Sequence, residues 1–241
     1  MKVVVIILSI IAFATCLVVG IQAGNSSNHP TASPATDTPN PLISPSQQRT
    51  LLLIFVDDLT LANPRLEALW LTVYRPDLLK FTLLPLFPNP SGAENPAAPD
   101  LSKSFLLIDD RKPANSFNQA LSSYRFDWNG YVIFDRSSLR DTVDWMQGIQ
   151  LGGKTVTGSA ALSSLIPADE DPAAAVRSQQ RLIEAVCLRT SHLPIEANWI
   201  GLAASFGAAH LSTNLSMDTL ISDWKTMMSG ASAYTCEVDI P

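Results

Sequence analysis

Residues with reactive or metal-binding side chains are few in this 241-residue chain, and their spacing matches no familiar site. The three cysteines form no C-x-x-C pair, which argues against a zinc ribbon or a redox motif. Ser159 lies between Gly158 and Ala160, but the surrounding residues are not G-x-S-x-G, so no nucleophile elbow is predicted. His192 and His210 have no ligand spacing with aspartate or cysteine. We expect them in a loop and on a helix surface.

The overall composition excludes several classes of protein. The formal net charge is −6, whereas a nucleic-acid-binding protein needs a basic surface to neutralise phosphates. Only 16% of the residues are charged, against a usual share of about 25%. The length suits one domain of roughly 100–200 residues with additional segments.

One long uncharged apolar run occupies residues 3–23. A helix of this length reaches about 30 Å, the thickness of a bilayer core. Lys2 on the short N-terminal side favours an orientation that leaves the rest of the chain outside the cytoplasm. We expect a signal anchor and a single-pass protein of the cell membrane. The alternative is cleavage after Ala23, which would release a secreted protein.

The segments that follow the anchor differ sharply in composition. Residues 24–48 are rich in proline and nearly uncharged, and without a periodic apolar face they predict a semi-extended linker. Residues 49–230 then form the domain, and residues 231–241 a C-terminal tail. Outside the cytoplasm Cys187 and Cys236 could form a disulfide that ties this tail to a helix, and two free thiols are the alternative.

Strand and helix signals alternate along the domain. Apolar runs predict strands over 50–56, 66–74, 81–84 and 130–134, with the second and third forming a hairpin beside the first. A long loop is expected over 85–99. Apolar periodicity predicts helices over 116–124, 137–147, 157–165, 172–187, 195–210 and 217–228. Ser137 or Ser138 is the expected N-cap of the second helix. These elements predict an α/β fold in which helices sandwich a mixed central sheet, behind an N-terminal membrane anchor.

Short motifs follow these elements in a characteristic order. An apolar strand ends at Asp57, Arg65-Leu66-Glu67-Ala68 precedes the second strand, and Pro85–Asn89 ends the third. Later motifs are GYVIFDRSSLRDTVDWMQGIQL at 130–151, TGSAAL at 157–162, SQQRLIEA at 178–185 and LSTNLSMDTL at 211–220. In order and spacing, over residues 50–228, the chain resembles the LytR-CpsA-Psr (LCP) family of membrane-anchored envelope proteins.

The resemblance implies a function in the cell envelope. Members of the family transfer glycopolymers from a polyprenyl-pyrophosphate carrier to peptidoglycan or another wall acceptor, usually with a divalent cation, expected here to be Mg²⁺. Arginines would bind the pyrophosphate and stabilise charge on the leaving group. An apolar groove between sheet and helices would accept the prenyl tail. The expected partners are therefore a polyprenyl-linked glycopolymer or another lipid, and cell-wall glycan.

Carried onto this sequence, the resemblance places Asp57, Arg65 and Glu67 in the active site. Asp57 and Glu67 would coordinate the cation, and Asp57 and Arg65 would contact the substrate. Arg65 and Glu67 would act in catalysis, together with Arg177, which lies beside the position of a family arginine. The alternative is that Asp57, Arg65 and Glu67 are ordinary charged residues at strand ends.

Most of the basic residues of the family pattern are replaced in this chain. Leu59, Pro88 and Ser178 occupy positions expected to hold arginine, and Asn89 replaces an acidic partner. Each lost hydrogen bond to a charged group removes roughly 1.5–3 kcal/mol of binding energy, and each lost transition-state donor costs about 10²–10³ in rate. The missing arginines therefore argue against an enzyme.

The sequence thus leads to a ranked set of functions. We predict a degenerate domain that binds polyprenyl-(pyro)phosphate or glycopolymer with weak or no catalysis. One alternative is an active phosphotransferase, which requires Arg65 and Arg177 to converge on a common point. A structural surface domain is the other alternative, and a collapsed interior in place of the apolar groove would favour it.

Overall fold

The computed structural model of the protein describes residues 48–75, 80–89, 99–124, 126–193, 209–216 and 235–239. The expected anchor at 3–23 and the expected helix at 217–228 lie outside these residues, and so does the helix at 195–210 apart from its last two residues, which are helical. Within the described parts of the chain, no helix is both long enough and apolar enough to cross a bilayer.

The strands of the domain form one large sheet and two small hairpins. They are β1 (Arg49–Val56), β2 (Leu66–Arg75), β3 (Lys80–Phe87), β4 (Leu107–Ile108), β5 (Lys112–Pro113), β6 (Gly130–Asp135), β7 (Ile149–Leu151), β8 (Lys154–Val156), β9 (Leu211–Thr213) and β10 (Thr235–Val238). The large sheet has the order β10-β3-β2-β1-β6-β9, while β4 pairs with β5 and β7 with β8. Strands β1, β2 and β3 are antiparallel neighbours, whereas β6 runs parallel to β1. The mixed sheet of the sequence prediction is confirmed.

Helices cover both faces of this sheet. They are α1 (Leu101–Ser104), α2 (Asn115–Ser122), α3 (Arg136–Trp145), α4 (Gly158–Ser163) and α5 (Pro172–Thr190). Helices α1 and α2 pack on one face, and α3 and α5 pack on the other. The predicted sandwich of helices around a central sheet is therefore correct.

The two faces of the sheet are packed to different extents. Leu52, Ile54 and Val56 of β1 point to the α2 side, and each is at most 2% exposed. Leu51 and Leu53 point to the opposite side and are only half-buried. One face thus forms a closed core, while the face toward α3 and α5 leaves space.

Strand β3 is longer than the sequence predicts. It continues through Pro85 to Phe87 instead of ending at residue 84. Pro85 lies opposite Trp70, where the pairing between β2 and β3 shifts register. A proline is tolerated inside a strand at such an irregularity, because the ladder has already lost a hydrogen bond there.

The predicted C-terminal tail also contributes to the sheet. Within residues 231–241, β10 pairs in parallel with β3 from Thr235 to Val238. Its side chains Cys236 and Val238 pack with the apolar residues of the α5 side. The described domain therefore reaches Asp239, beyond the expected boundary at residue 230.

Strand β6 runs directly into helix α3, which places their junction at a fixed point beside β1. Asp135 caps the helix, because its side chain accepts a hydrogen bond from the Ser138 backbone N–H. In turn, the Ser138 hydroxyl oxygen accepts a hydrogen bond from the Asp135 backbone N–H. The N-cap is therefore Asp135, and the predictions of Ser137 or Ser138 are wrong. Ser138 instead completes a capping box.

Candidate functional site

An apolar cavity of about 460 Å³ lies between the open face of the sheet and helices α3 and α5. Leu53, Trp70 and Val132 line it from the sheet, and Leu139 and Ile183 line it from the helices. The groove anticipated from the sequence is thus present. The alternative of a purely structural surface domain was to be favoured by a collapsed interior, and this open cavity does not favour it.

A second cavity of about 350 Å³ lies where β1 ends, β2 begins and β6 passes into α3. We call it the polar cavity because charged side chains form part of its lining, alongside apolar ones. Arg65, Glu67 and Arg136 line it, together with the loop that precedes α5. Three residues, Phe55, Leu165 and Gln179, line both cavities. The polar and apolar spaces are therefore neighbours and share part of their walls.

Glu67 is the centre of the charged group in the polar cavity. Arg136 binds it with a two-pronged fork, in which Nε lies 2.8 Å from Oε2 and Nη2 lies 2.6 Å from Oε1. Nη2 of Arg65 lies 3.5 Å from Oε1 of the same carboxylate. The Glu67 side chain is only 12% exposed, whereas those of Arg65 and Arg136 are 62% and 48% exposed, so solvent screens these charges from the side of the arginines. Its hydrogen bonds raise the pKa of Arg136, which keeps the guanidinium charged.

Asp57 organises the backbone that carries these side chains. Its Oδ1 accepts from the backbone N–H groups of Asp58 at 2.8 Å and Arg65 at 2.7 Å. Its own N–H donates to the Arg65 carbonyl oxygen at 3.1 Å. Oδ2 lies 4.0 Å from Nε of Arg65. Asp57 therefore closes the connection between β1 and β2 and holds Arg65 at the mouth of the polar cavity.

The three predicted residues Asp57, Arg65 and Glu67 thus lie close together, but Arg177 does not join them. It is exposed on α5 and lines neither of the two cavities. Arg136, to which the sequence assigned no role, is instead the second guanidinium beside Arg65. The sequence feature that could have identified Arg136 is its position directly after β6. The carboxyl ends of the parallel strands β1 and β6 meet at one edge of the sheet, so a residue that follows β6 lies near one that follows β1.

Residues that replace the family's arginines have structural roles. Leu59 is 2% exposed and belongs to the core on the α2 side. Ser178 is 2% exposed, and its hydroxyl group accepts from the Ile166 N–H and donates to the Ala175 carbonyl oxygen. Pro88 is buried as well. These positions hold small or apolar groups that complete the packing.

Gln179 connects the charged group to the apolar cavity. Its amide nitrogen donates to the Glu67 carbonyl oxygen at 3.1 Å, and its Oε1 accepts from the Trp70 indole N–H at 3.1 Å. The side chain is 7% exposed and lines both cavities. The sequence feature that could have identified Gln179 as a site residue is its position in SQQRLIEA, directly after Ser178, which replaces a family arginine.

Another group of potential metal ligands lies near the end of β6. Asp58, Asp135 and His210 place one ligand atom each within 4.8 Å of one another. Nδ1 of His210 lies 2.6 Å from Oδ2 of Asp135, which also accepts from the Leu59 backbone N–H at 3.3 Å. The sequence prediction placed His210 on a helix surface. It did not anticipate the contact of His210 with a buried carboxylate 75 residues away.

This network leads to a stability prediction for Asp135. Replacing it with alanine removes the cap of α3 and the partners of Leu59 and His210 at once. We expect Asp135→Ala to lower the free energy of unfolding by about 2–4 kcal/mol. Urea-induced unfolding measures this change. Asp141→Ala, on the exposed side of the same helix, is the matched control and should change stability by less than about 0.5 kcal/mol; equal effects of the two variants would contradict the prediction.

Cys187 and Cys236 are joined by a disulfide between α5 and β10. Both cysteines line the apolar cavity. The bond therefore fastens the strand at one edge of the sheet to the helix that covers the cavity.

Comparison with known proteins supports the fold and not the sequence family. No protein-family model matches the sequence, and no curated protein matches it. Solved structures do match. TagV of Bacillus subtilis has a TM-score of 0.60 at 12% identity, with 80% of this chain and 83% of that one covered. A putative transcription regulator from Eubacterium siraeum has a TM-score of 0.60 at 14% identity, with 88% and 90% covered.

TagT, solved with bound LIIa-WTA, is a further structural neighbour. Its TM-score is 0.57 at 15% identity, and the match covers 80% of this chain and 78% of that one. TagV and TagT are LCP proteins, and TagT has been solved with bound LIIa-WTA and with bound LI-WTA. These structural neighbours share the mixed sheet and the alternating strands and helices that the order of motifs in the sequence predicts. The domain therefore has the LytR-CpsA-Psr-type fold.

Proposed function

We propose that this domain binds a glycopolymer carrier with a polyprenyl-phosphate end in the space outside the cytoplasm. The prenyl chain occupies the apolar cavity, and the phosphate lies against Arg65 and Arg136. One observation carries the proposal, which is that an apolar cavity and an arginine-lined cavity share three wall residues. A ligand with a long hydrocarbon chain and an anionic head matches this pair of spaces.

The chemistry of the two cavities supports this assignment. Burial of hydrocarbon contributes about 0.8 kcal/mol for each CH₂ group, so several prenyl units in the apolar cavity would dominate the affinity. Guanidinium groups bind phosphate oxygens through paired hydrogen bonds and fix the position of the head group. TagT, a structural neighbour, has been solved with bound LIIa-WTA and with bound LI-WTA, and an envelope glycopolymer carrier is the natural candidate here.

Catalysis in this domain is weak or absent under the proposal. Of the basic positions in the family pattern, three hold Leu59, Pro88 and Ser178, and each lost donor costs about 10²–10³ in rate. The phosphotransferase expected from the sequence required Arg65 and Arg177 to converge, and Arg177 does not line this cavity. The convergence of Arg65 and Arg136 on Glu67 favours a different alternative, a phosphotransferase that uses Arg136. Release of prenyl phosphate from a prenyl-pyrophosphate-linked oligosaccharide would favour that alternative.

The location of the protein forms part of the proposal. Residues 3–23 would hold it in the cell membrane as a single-pass protein, and residues 24–48 would tether the domain outside the cytoplasm. A polyprenyl carrier lies in the same membrane, so the tether would keep the cavity near its ligand and raise the effective ligand concentration.

Binding of farnesyl phosphate, a fifteen-carbon prenyl phosphate, tests the function. Full-length protein in phosphatidylcholine nanodiscs is dialysed against the labelled ligand, with empty nanodiscs as the blank. We expect saturable binding that weakens about tenfold or more in Arg65→Ala, because a hydrogen bond to a charged group contributes roughly 1.5–3 kcal/mol. Arg177→Ala is the matched control and should bind like the wild type. Binding no greater than that of empty nanodiscs would contradict the proposal.

A further inference from the structure

The divalent cation expected from the fold requires free carboxylate oxygens. Mg²⁺ takes near-octahedral oxygen ligands at about 2.0–2.1 Å and is usually held by one or two carboxylates and by phosphate oxygens. In this chain the expected carboxylates are Asp57 and Glu67. Whether the cation fits depends on what these oxygens already bind.

The oxygens of Glu67 are engaged by a permanent cation. Both of them accept from the Arg136 fork, at 2.6 and 2.8 Å, and Arg65 approaches one of them to 3.5 Å. Oδ1 of Asp57 accepts two backbone N–H groups that hold the connection between β1 and β2. Its Oδ2 lies 4.0 Å from Nε of Arg65, so the one other carboxylate oxygen of this pair also faces a guanidinium. A metal ion at Glu67 would have to displace a bidentate guanidinium and would lie beside two positive charges. The donor set does not fit Mg²⁺.

Arg136 is well placed to act in place of the cation. It is the first residue of α3 and directly follows Asp135, which ends β6 and caps α3. Because β6 pairs with β1, the backbone of Arg136 is fixed beside β1. The fork to Glu67 uses two of the five N–H groups of the guanidinium. Arg136 lines the polar cavity together with Arg65. A phosphate in that cavity would meet the guanidinium groups of Arg65 and Arg136, and it would compete with Asp169, whose Oδ2 lies 4.0 Å from Nη1 of Arg65.

From this geometry we infer that Arg136 replaces the divalent cation, so that the site binds its phosphate head group without a metal. The inference rests on the proposed function. It differs from the usual chemistry of the fold in one respect, since a side chain neutralises the phosphate where an exchangeable ion would otherwise do so. Arg136 is thereby a binding residue, and Glu67 is the residue that positions it.

Farnesyl phosphate binding in the presence of excess EDTA tests this inference directly. Full-length wild type in phosphatidylcholine nanodiscs should bind with the same dissociation constant in EDTA and in excess Mg²⁺. Arg136→Ala should bind at least about tenfold more weakly in EDTA, because it loses a charge-assisted contact. Arg177→Ala again serves as the matched control. Since Arg136 is half-exposed, its replacement leaves the core intact, and circular dichroism checks the fold.

Two results would overturn the inference. One is wild-type binding that requires Mg²⁺, because the phosphate would then be held through a metal; loss of the requirement in Glu67→Gln would identify Glu67 as the metal ligand. The other is unchanged binding of Arg136→Ala in EDTA. His210→Gln is included in the Mg²⁺ measurements to recognise effects that arise at Asp58, Asp135 and His210.

Comparison of Arg65→Ala with Arg136→Ala, and of farnesyl phosphate with farnesol, which lacks the phosphate, separates this inference from the proposed function. If farnesyl phosphate binds more tightly than farnesol and Arg65→Ala weakens its binding but Arg136→Ala does not, the proposed function stands and the inference fails alone. If farnesol and farnesyl phosphate bind equally, neither arginine binds the phosphate, and the head-group contact of both proposals is wrong. If neither compound binds, the proposed function fails and the inference fails with it.

Discussion

Leu53→Trp is expected to abolish most of the farnesyl phosphate binding while leaving the domain folded. Leu53 lies at the middle of β1, opposite Trp70 and beside Val132, and its half-buried side chain lines the apolar cavity. The added indole would occupy space that the lipid needs. Excluding one five-carbon prenyl unit removes about 4 kcal/mol of transfer free energy, and even half of this loss weakens binding about 30-fold.

Stability is the property that separates this effect from ordinary damage to a core. Because the side chain enlarges into an existing space, the free energy of unfolding should change by less than about 1 kcal/mol. Leu106→Trp introduces the same side chain at an exposed leucine outside the cavity, and it should not affect binding. If Leu53→Trp binds farnesyl phosphate like the wild type, the lipid does not occupy this cavity.

The sequence predicts the strand that lines the apolar cavity, but it does not predict the cavity. The run over 50–56 predicts β1 correctly, since a short and almost wholly apolar run is typical of a strand buried on both faces. The same uniformity hides the difference between its faces. Leu52 and Leu53 are chemically identical, yet one is 2% exposed in a closed core and the other faces a cavity. That difference depends on how closely α5 approaches the sheet, which no local pattern encodes.

The charged site was predictable only in part for a similar reason. Asp57, Arg65 and Glu67 lie within eleven residues, and the order of motifs was enough to place them together. Arg136 contacts Glu67 across 69 residues. Such a contact requires knowing that β1 and β6 are parallel neighbours, and a single apolar run does not reveal its partner strand.

Loss of the disulfide is expected to have the largest effect on stability. Cys187 and Cys236 are separated by 49 positions, and closing a loop of this size in the unfolded chain corresponds to about 4 kcal/mol in the chain-entropy description. Strand β10 has four residues, and among the described residues it is held by its pairing with β3, the packing of Cys236 and Val238 and the ion pair between Lys80 and Glu237. We expect Cys187→Ala/Cys236→Ala to lose about this free energy of unfolding, or roughly 10 °C in Tm.

A reductant provides the matched comparison, because it breaks the bond without removing side-chain volume from the cavity wall. Wild type in reductant should unfold at a lower urea concentration, close to that of the double variant, and the double variant should not respond to reductant. Both cysteines line the apolar cavity, so loosening β10 from α5 should also weaken farnesyl phosphate binding. An unfolding midpoint that does not move when the wild type is reduced would show that β10 is held by its strand pairing and side-chain packing alone. The covalent bond would then contribute nothing to either the fold or the cavity.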